Sequence, residues 1–278
     1  MFATIGHTFE LMKMSWRVLM QDRELIFFPI LAGLTLLVLL GGFLAIGSST
    51  GTLDRLDALQ GASTEQETQA VDYVLGLSFV FLSSAIVIFF NAALVAAALE
   101  RLRGGDPNIG SGLRKASAHL PQILAWALIS VVVSLLLRAL RQRGGIAGQI
   151  AAAIGGVAWG FATFFVIPVL VTEGVGPIDA IKRSGSLFRQ TWGRQAASSF
   201  GFGIVMIAAV LVAVLPAALL FAIHPVLGIG VGVPLVAVAI GTVQALEGIF
   251  KAALYDFARG EQPHGFDRST LEGAYRSM

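Results

Sequence analysis

No cysteine occurs among the 278 residues. Disulfides, thiolate metal sites and cysteine nucleophiles are therefore excluded, although the redox compartment stays open. Charge is also scarce. Asp, Glu, Lys and Arg make up 13% of the chain, against about 25% in a soluble domain. That leaves no room for a separate water-facing domain. The histidines His7, His119, His224 and His264 are scattered and make no metal-ligand spacing. Gly201-Phe202-Gly203 and the run Gly228, Gly230, Gly232 lack the strand and the lysine of a phosphate loop. A Ser/His/Asp arrangement, a carboxylate pair and a metal-binding helix motif are all missing from the sequence. A net charge of +2 is too small to point to nucleic acid. The expectation is a non-enzymatic protein with no cofactor and no metal.

What the chain has is apolar length. Hydrophobic residues make up 56%, and the mean hydropathy is +0.80. Six apolar runs fill it: Ile26–Ile46, Tyr73–Leu99, Ile123–Leu137, Ile150–Val171, Ala196–Ile223 and Val226–Leu246. Each is near or above the ~20 residues a helix needs to cross a bilayer. In hydrocarbon the backbone must satisfy its own polar groups, so such runs are spanning helices. The expected fold is all-α, a single membrane domain over 1–278 with about six spans. The first 24 residues carry His7, Glu10, Lys13, Arg17, Asp22, Arg23 and Glu24 and no uninterrupted apolar core. The first span is therefore expected to stay as an anchor.

Charge placement predicts the orientation. Lys13, Arg17 and Arg23 precede span one, and Arg101, Arg103, Arg114 and Lys115 follow span two. Lys182, Arg183, Arg189 and Arg194 follow span four, and Lys251, Arg259, Arg268 and Arg276 lie at the end. An even number of spans puts these groups on one side, the cytoplasmic one, together with both termini. The opposite loop 47–72 holds Arg55 against Asp54, Asp57, Glu65, Glu67 and Asp72. Arg138, Arg141 and Arg143 fall on that outer side and disagree with the rule. Either they reach headgroups or the acidic loop, or spans three and four form a re-entrant pair.

A unit recurs along the chain. Phe2, Ile5, Phe9, Met12 and Trp16 form one helical stripe, with Lys13 and Arg17 on the other side. Ile178, Ile181, Gly185, Phe188 and Trp192 repeat it, with Lys182, Arg183 and Arg189 opposite. A weaker copy holds Ile109, Leu113, Ala116 and Leu120 with Arg114 and Lys115, and Pro121 then opens span three. The pattern predicts three units, roughly 1–99, 107–172 and 176–258, each an amphipathic cytoplasmic helix followed by a membrane hairpin. Two or three such helices would lie at the interface. Their cations Lys13, Arg17, Arg114, Lys115, Lys182, Arg183, Arg189 and Arg194 would meet anionic lipid headgroups, with Trp16, Phe188 and Trp192 as apolar anchors. In the alternative reading these helices only brace the spans.

The string from Pro168 through Glu173, Gly176, Lys182 and Ser184 to Leu187-Phe188-Arg189 and Thr191-Trp192-Gly193 resembles the signature of an uncharacterised family of six-helix prokaryotic membrane proteins. Ser15-Trp16-Arg17, Asp22-Arg23-Glu24-Leu25 and Phe28-Pro29 are similar to that family's start, and Ile249–Tyr255 with Gly265-Phe266-Asp267 to its end. More distantly, the Glu173–Trp192 stretch is similar to the membrane domain attached to some glycerophosphodiester phosphodiesterases, whose catalytic domain has no counterpart here. The resemblance implies a fold and a cell-membrane location, inner or plasma, and no established activity.

Few polar residues enter the spans. Glu247 follows Gln244, and Lys251 lies four residues on, a favourable helical pair. Asn91 sits deep in span two. These four are the candidate intramembrane polar site. Ser83, Ser84, Ser130, Ser134 and Thr163 are expected to hydrogen-bond between helices, and His224 is expected in a wet turn. Gly156 with Gly160 and Gly228 with Gly232 predict close helix approach, and Pro168, Pro216 and Pro234 predict kinks. The leading expectation is a membrane-organising, lipid-interacting or accessory protein whose partners are anionic lipids, with a second copy or another membrane protein as further partners. The alternative is a transporter or channel for a small solute or lipid.

Overall fold

A computed structural model describes residues 13–55, 69–192 and 211–266, except 213, 217 and 223 and the side chains of 190–192, 227–229 and 233. The fifth apolar run, the stripe positions Phe2, Ile5, Phe9 and Met12, the side chain of Trp192 and all of Arg194 lie wholly or largely outside the described residues. Among the described residues the structure is helical and contains no strand. Helix α1 covers 13–21, a 3-10 turn covers Arg23–Ile26, and α2 covers Phe27–Ser49. Then come α3 (Ala70–Leu102), α4 (Ile109–Ala118) and α5 (Leu120–Arg143). Next are α6 (Gly145–Thr163), α7 (Val166–Glu173) and α8 (Pro177–Trp192). After a π turn at Gly228–Gly232, α9 covers Val233–Ala258.

Among the described residues, five stretches are long and apolar enough to cross a membrane: Arg23–Ser49, Ala70–Leu102, Leu120–Arg143, Gly145–Glu173 and Gly230–Ala258. The shortest has 24 residues, about 36 Å at 1.5 Å per residue, against ~30 Å of hydrocarbon. Helix α5 and the α6–α7 stretch are thus each long enough for a full crossing. Arg138, Arg141 and Arg143 at the α5 end are exposed and form no ion pair with another described residue. The acid Asp72, in the first turn of α3, is already held by Arg55, at 2.7 and 3.0 Å.

Local chemistry sets the ends of these helices. The side chains of Gln69 and Asp72 close a capping box on α3, and Asn108 and Ser111 do so on α4. Pro121 occupies the first turn of α5, where its missing N–H costs nothing. The α5–α6 turn needs glycine. Gly145 has φ +55°, and a Cβ on Gly148 would lie 2.4 Å from the Leu140 carbonyl oxygen. Pro168 cannot donate to the carbonyl four residues back, and the α6–α7 helix breaks there, between Thr163 and Val166. The π turn precedes Pro234 in the same way.

The core sits at one end. Leu25 of the 3-10 turn precedes Phe28 at the start of α2, Ala92–Leu102 end α3, Ile123 and Trp126 begin α5, Val166–Val171 lie in α7, and Ala245–Tyr255 approach the end of α9; nearly all are buried. The opposite halves of α2, α3, α5 and α6 present Leu37, Val38, Val74, Leu136, Ile146 and Ile154 outward, at 61–79% exposure. Such a surface is suited to lipid. The buried end is where the basic groups collect, and it is called the basic end below.

Several expected contacts differ. The face that α1 buries is Met14, Ser15, Val18 and Leu19, while Trp16 is exposed beside Lys13 and Arg17. The buried face of α8 is Ala180, Ser184, Leu187 and Phe188, and Ile178 points outward. Phe188 is therefore a core residue rather than an interfacial anchor, its ring 4.9 Å from Phe161. The repeating stripe misplaced the inner face because small residues, which hydropathy ranks low, allow the closest approach. Gly156 and Gly160 also depart from expectation, since a Cβ on either would meet nothing within 4 Å. Close approach occurs instead at Gly112 against Phe28 and Ala93, and at Gly248 against Leu94. Thr163 bonds back to Trp159 in its own helix, and Ser83 Oγ is buried without a partner among the described residues.

Candidate functional site

The basic end is tied together by ion pairs between elements far apart in sequence. Arg101 of α3 donates to Asp22 before α2 and, at 2.6 Å, to Asp106. Arg103 donates to Asp256 of α9 at 2.7 Å, and its guanidinium is held above its ordinary pKa chiefly by that hydrogen bond. Asp256 is 1% exposed. Tyr255 Oη donates to Glu173 at 2.9 Å, lies 2.8 Å from Thr172 Oγ1 and accepts from Arg259 at 3.3 Å. Arg183 of α8 lies 3.5 Å from the same Glu173. The backbone N–H of Phe165, freed at the α6–α7 break, donates to Ser184 Oγ at 2.9 Å. With Phe188 stacked on Phe161, this bond makes α8 run back along α6–α7.

These contacts consume the carboxylates. Glu100 pairs with Lys115 at 3.4 Å, Asp179 with Lys182 at 3.2 Å, and Glu24 accepts from the Ile109 N–H. The cations are not consumed equally. Lys13, Arg17, Arg23, Arg114 and Arg189 are exposed and pair with no acid among the described residues. Of the expected headgroup cations, Lys115, Lys182 and Arg183 have a carboxylate partner, whereas Lys13, Arg17, Arg114 and Arg189 have none among the described residues.

A second feature lies inside the bundle. A cleft of about 750 Å³ runs between α2, α3 and α9. Asn91, Gln244, Glu247 and Lys251, the four expected polar residues, all line it, while Pro29, Leu34, Leu37, Val87 and Val238 are among its apolar walls. Glu247 and Lys251 form the expected i, i+4 pair at 2.7 Å, and the Lys251 ammonium stands 5.5 Å from the centre of the Phe164 ring. Gly248 against Leu94 puts one turn of α9 level with the corresponding turn of α3. Asn91 and Gln244, three and four residues earlier, then share a level further from the basic end. Neither amide hydrogen-bonds to another described residue.

The Asp22–Arg101, Arg103–Asp256 and Ser184–Phe165 links are absent from the expectations. One signal for them existed. Asp22, Arg101, Arg103 and Asp256 flank or end apolar runs, where an unpaired charge is costly, but nothing in the sequence matched acid to base. His224 accepts from the Val226 N–H at 3.2 Å and is a turn residue as expected. The described residues contain no cluster of three or more metal-ligating side chains.

A helical bundle with five bilayer-length apolar stretches among its described residues is a multi-pass membrane protein. A family model described as a family of unknown function, DUF6159, matches residues 70–266, and the chain belongs to that family. No curated protein and no solved structure matches it.

Proposed function

We propose that this protein engages anionic lipid headgroups through its basic end and acts without catalysis, as a membrane-organising or accessory component. The observation that carries this reading is the imbalance of pairing. The described carboxylates at that end are engaged by partners, while Lys13, Arg17, Arg114 and Arg189 are exposed and pair with no acid among the described residues. A cation near an anionic surface contributes about 1 kcal/mol. The proposal includes a sixth span at 196–223, both termini on the cytoplasmic side of the cell membrane, and outer faces of α1, α4 and α8 lying at headgroup depth. The proposal also takes in the expected distant likeness of Glu173–Trp192 to the membrane domain of glycerophosphodiester phosphodiesterases and the expected prokaryotic origin of the family.

The test replaces Lys13, Arg17, Arg114 and Arg189 with Gln and measures phosphatidylglycerol and cardiolipin co-purifying in mild detergent. Retention should weaken by about 4 kcal/mol at most, and added salt should mimic the change. Unchanged retention rejects the reading and leaves these helices as braces. The cleft favours a second reading, passage of a small solute or lipid. Uptake into proteoliposomes that Glu247→Gln abolishes in folded protein would support it.

A further inference from the structure

We infer that the α2–α3–α9 cleft holds one membrane lipid whose head carries both a phosphate and a primary ammonium, a phospholipid of the phosphatidylethanolamine type. The inference rests on the cleft and is independent of the basic rim.

Size and shape come first. The volume of about 750 Å³ falls within the range of about 300–1,000 Å³ seen for ligand pockets. The lining runs along α9 from Pro234 to Lys251, about 25 Å at 1.5 Å per residue. That length suits an acyl chain lying along the helices with its head toward the basic end. The walls agree with this direction. Leu34, Leu37 and Pro234 line the end away from the basic groups, and all the ionisable groups of the lining lie at the other end.

The polar groups then choose the head. The amides of Asn91 and Gln244 face the cleft without a hydrogen-bond partner among the described residues. In hydrocarbon an unsatisfied amide is costly, so an occupant that bonds to it is favoured. Beside them Glu247 and Lys251 already pair at 2.7 Å. A ligand with one charge that opened this pair would satisfy one partner and strand the other in a low-dielectric setting. A dipolar head replaces both partners at once. Its phosphate takes the Lys251 ammonium and its own ammonium takes the Glu247 carboxylate. The amide NH₂ groups then donate to phosphate or ester oxygens, and the amide carbonyls accept from the ammonium N–H groups. A quaternary ammonium has no N–H and cannot complete that set.

The experiment incubates the purified full-length chain with an equimolar mixture of phosphatidylethanolamine, phosphatidylcholine and phosphatidylglycerol of identical chains. Native mass spectrometry then counts and identifies the lipid retained. One molecule with preference for the ethanolamine head is expected, and Glu247→Gln should cut that preference about tenfold. Gly33→Phe supplies an independent arm. Gly33 lines the cleft, and a Cβ there meets nothing within 4 Å, so the ring should fill the space and displace the lipid. Val238→Phe, across the cleft, serves the same end if Gly33→Phe does not fold. The quadruple Gln variant at the rim should keep the bound ethanolamine lipid while losing anionic lipid, which separates this site from the rim. Equal retention of the three heads, a preference for the glycerol head, or a preference untouched by both Glu247→Gln and the filling variants would overturn the inference.

Discussion

Removing one oxygen from Ser184 tests how α8 is held. Ser184 and Phe165 are both 0% exposed, and the hydroxyl accepts the Phe165 N–H at 2.9 Å. That N–H is available because the helix breaks ahead of Pro168, so it has no carbonyl in its own helix. Ser184→Ala keeps the volume nearly unchanged and leaves the N–H buried and unpaired. An unsatisfied buried donor costs about 1–3 kcal/mol. The variant should therefore unfold earlier by that amount when sodium dodecyl sulfate is titrated into mixed micelles. Tryptophan fluorescence gives the readout, since Trp126 and Trp159 stack at 5.7 Å. Ser117→Ala, on the exposed side of α4, is the control and should stay within about 0.5 kcal/mol of the parent. If Ser184→Ala is also within that margin, the Phe165 N–H has another partner and the Ser184 hydroxyl does not hold α8.

Further tests address packing, ion pairs and topology. Gly112→Ala places a Cβ 2.6 Å from Phe28 Cζ and 2.7 Å from the Ala93 oxygen and should cost about 1–3 kcal/mol in the same titration. Gly33→Ala, where a Cβ meets nothing within 4 Å, should be neutral or gain up to ~1 kcal/mol from helix propensity. Arg103→Ala strands Asp256, and because the arginine side chain is 41% exposed, the cost should fall below the ~3–5 kcal/mol of a fully buried pair. Adding Asp256→Asn should recover most of it; no recovery would assign the loss to packing. The absence of cysteine allows single-cysteine labelling. Ser63→Cys and Arg141→Cys should react with an impermeant reagent from outside, and Ser117→Cys and Ser186→Cys should not. Reaction at residue 63 with protection at residue 141 would support a re-entrant pair.

The sequence by itself determined that this is a helical membrane protein, because bilayer thickness and the backbone's need for internal hydrogen bonds leave runs such as Tyr73–Leu99 one solution. It also located the break at Pro168, the start at Pro121 and the Glu247–Lys251 pair, since each depends on residues within one helical turn. Asn91 and Gln244 stood out as polar groups in apolar runs, but their meeting in one cleft depends on the level at which α9 packs against α3. That level is set by Gly248 against Leu94.

Only the tertiary structure decided which face of α1 and α8 is buried. The apolar stripe pointed to Trp16 and Phe188 together, yet Trp16 is exposed and Phe188 lies in the core. Periodicity ranks residues by hydropathy. The inner faces here set the small residues Ser15, Ala180 and Ser184 beside Met14, Val18, Leu19, Leu187 and Phe188, and Ser184 adds a hydrogen bond to Phe165. The pairing of Arg101 with Asp22 and of Arg103 with Asp256 spans 79 and 153 residues. Charge counting placed these cations on one side of the membrane. Which of them are spent on internal carboxylates, and which stay free for a headgroup, depends on distances of a few ångströms between helix ends.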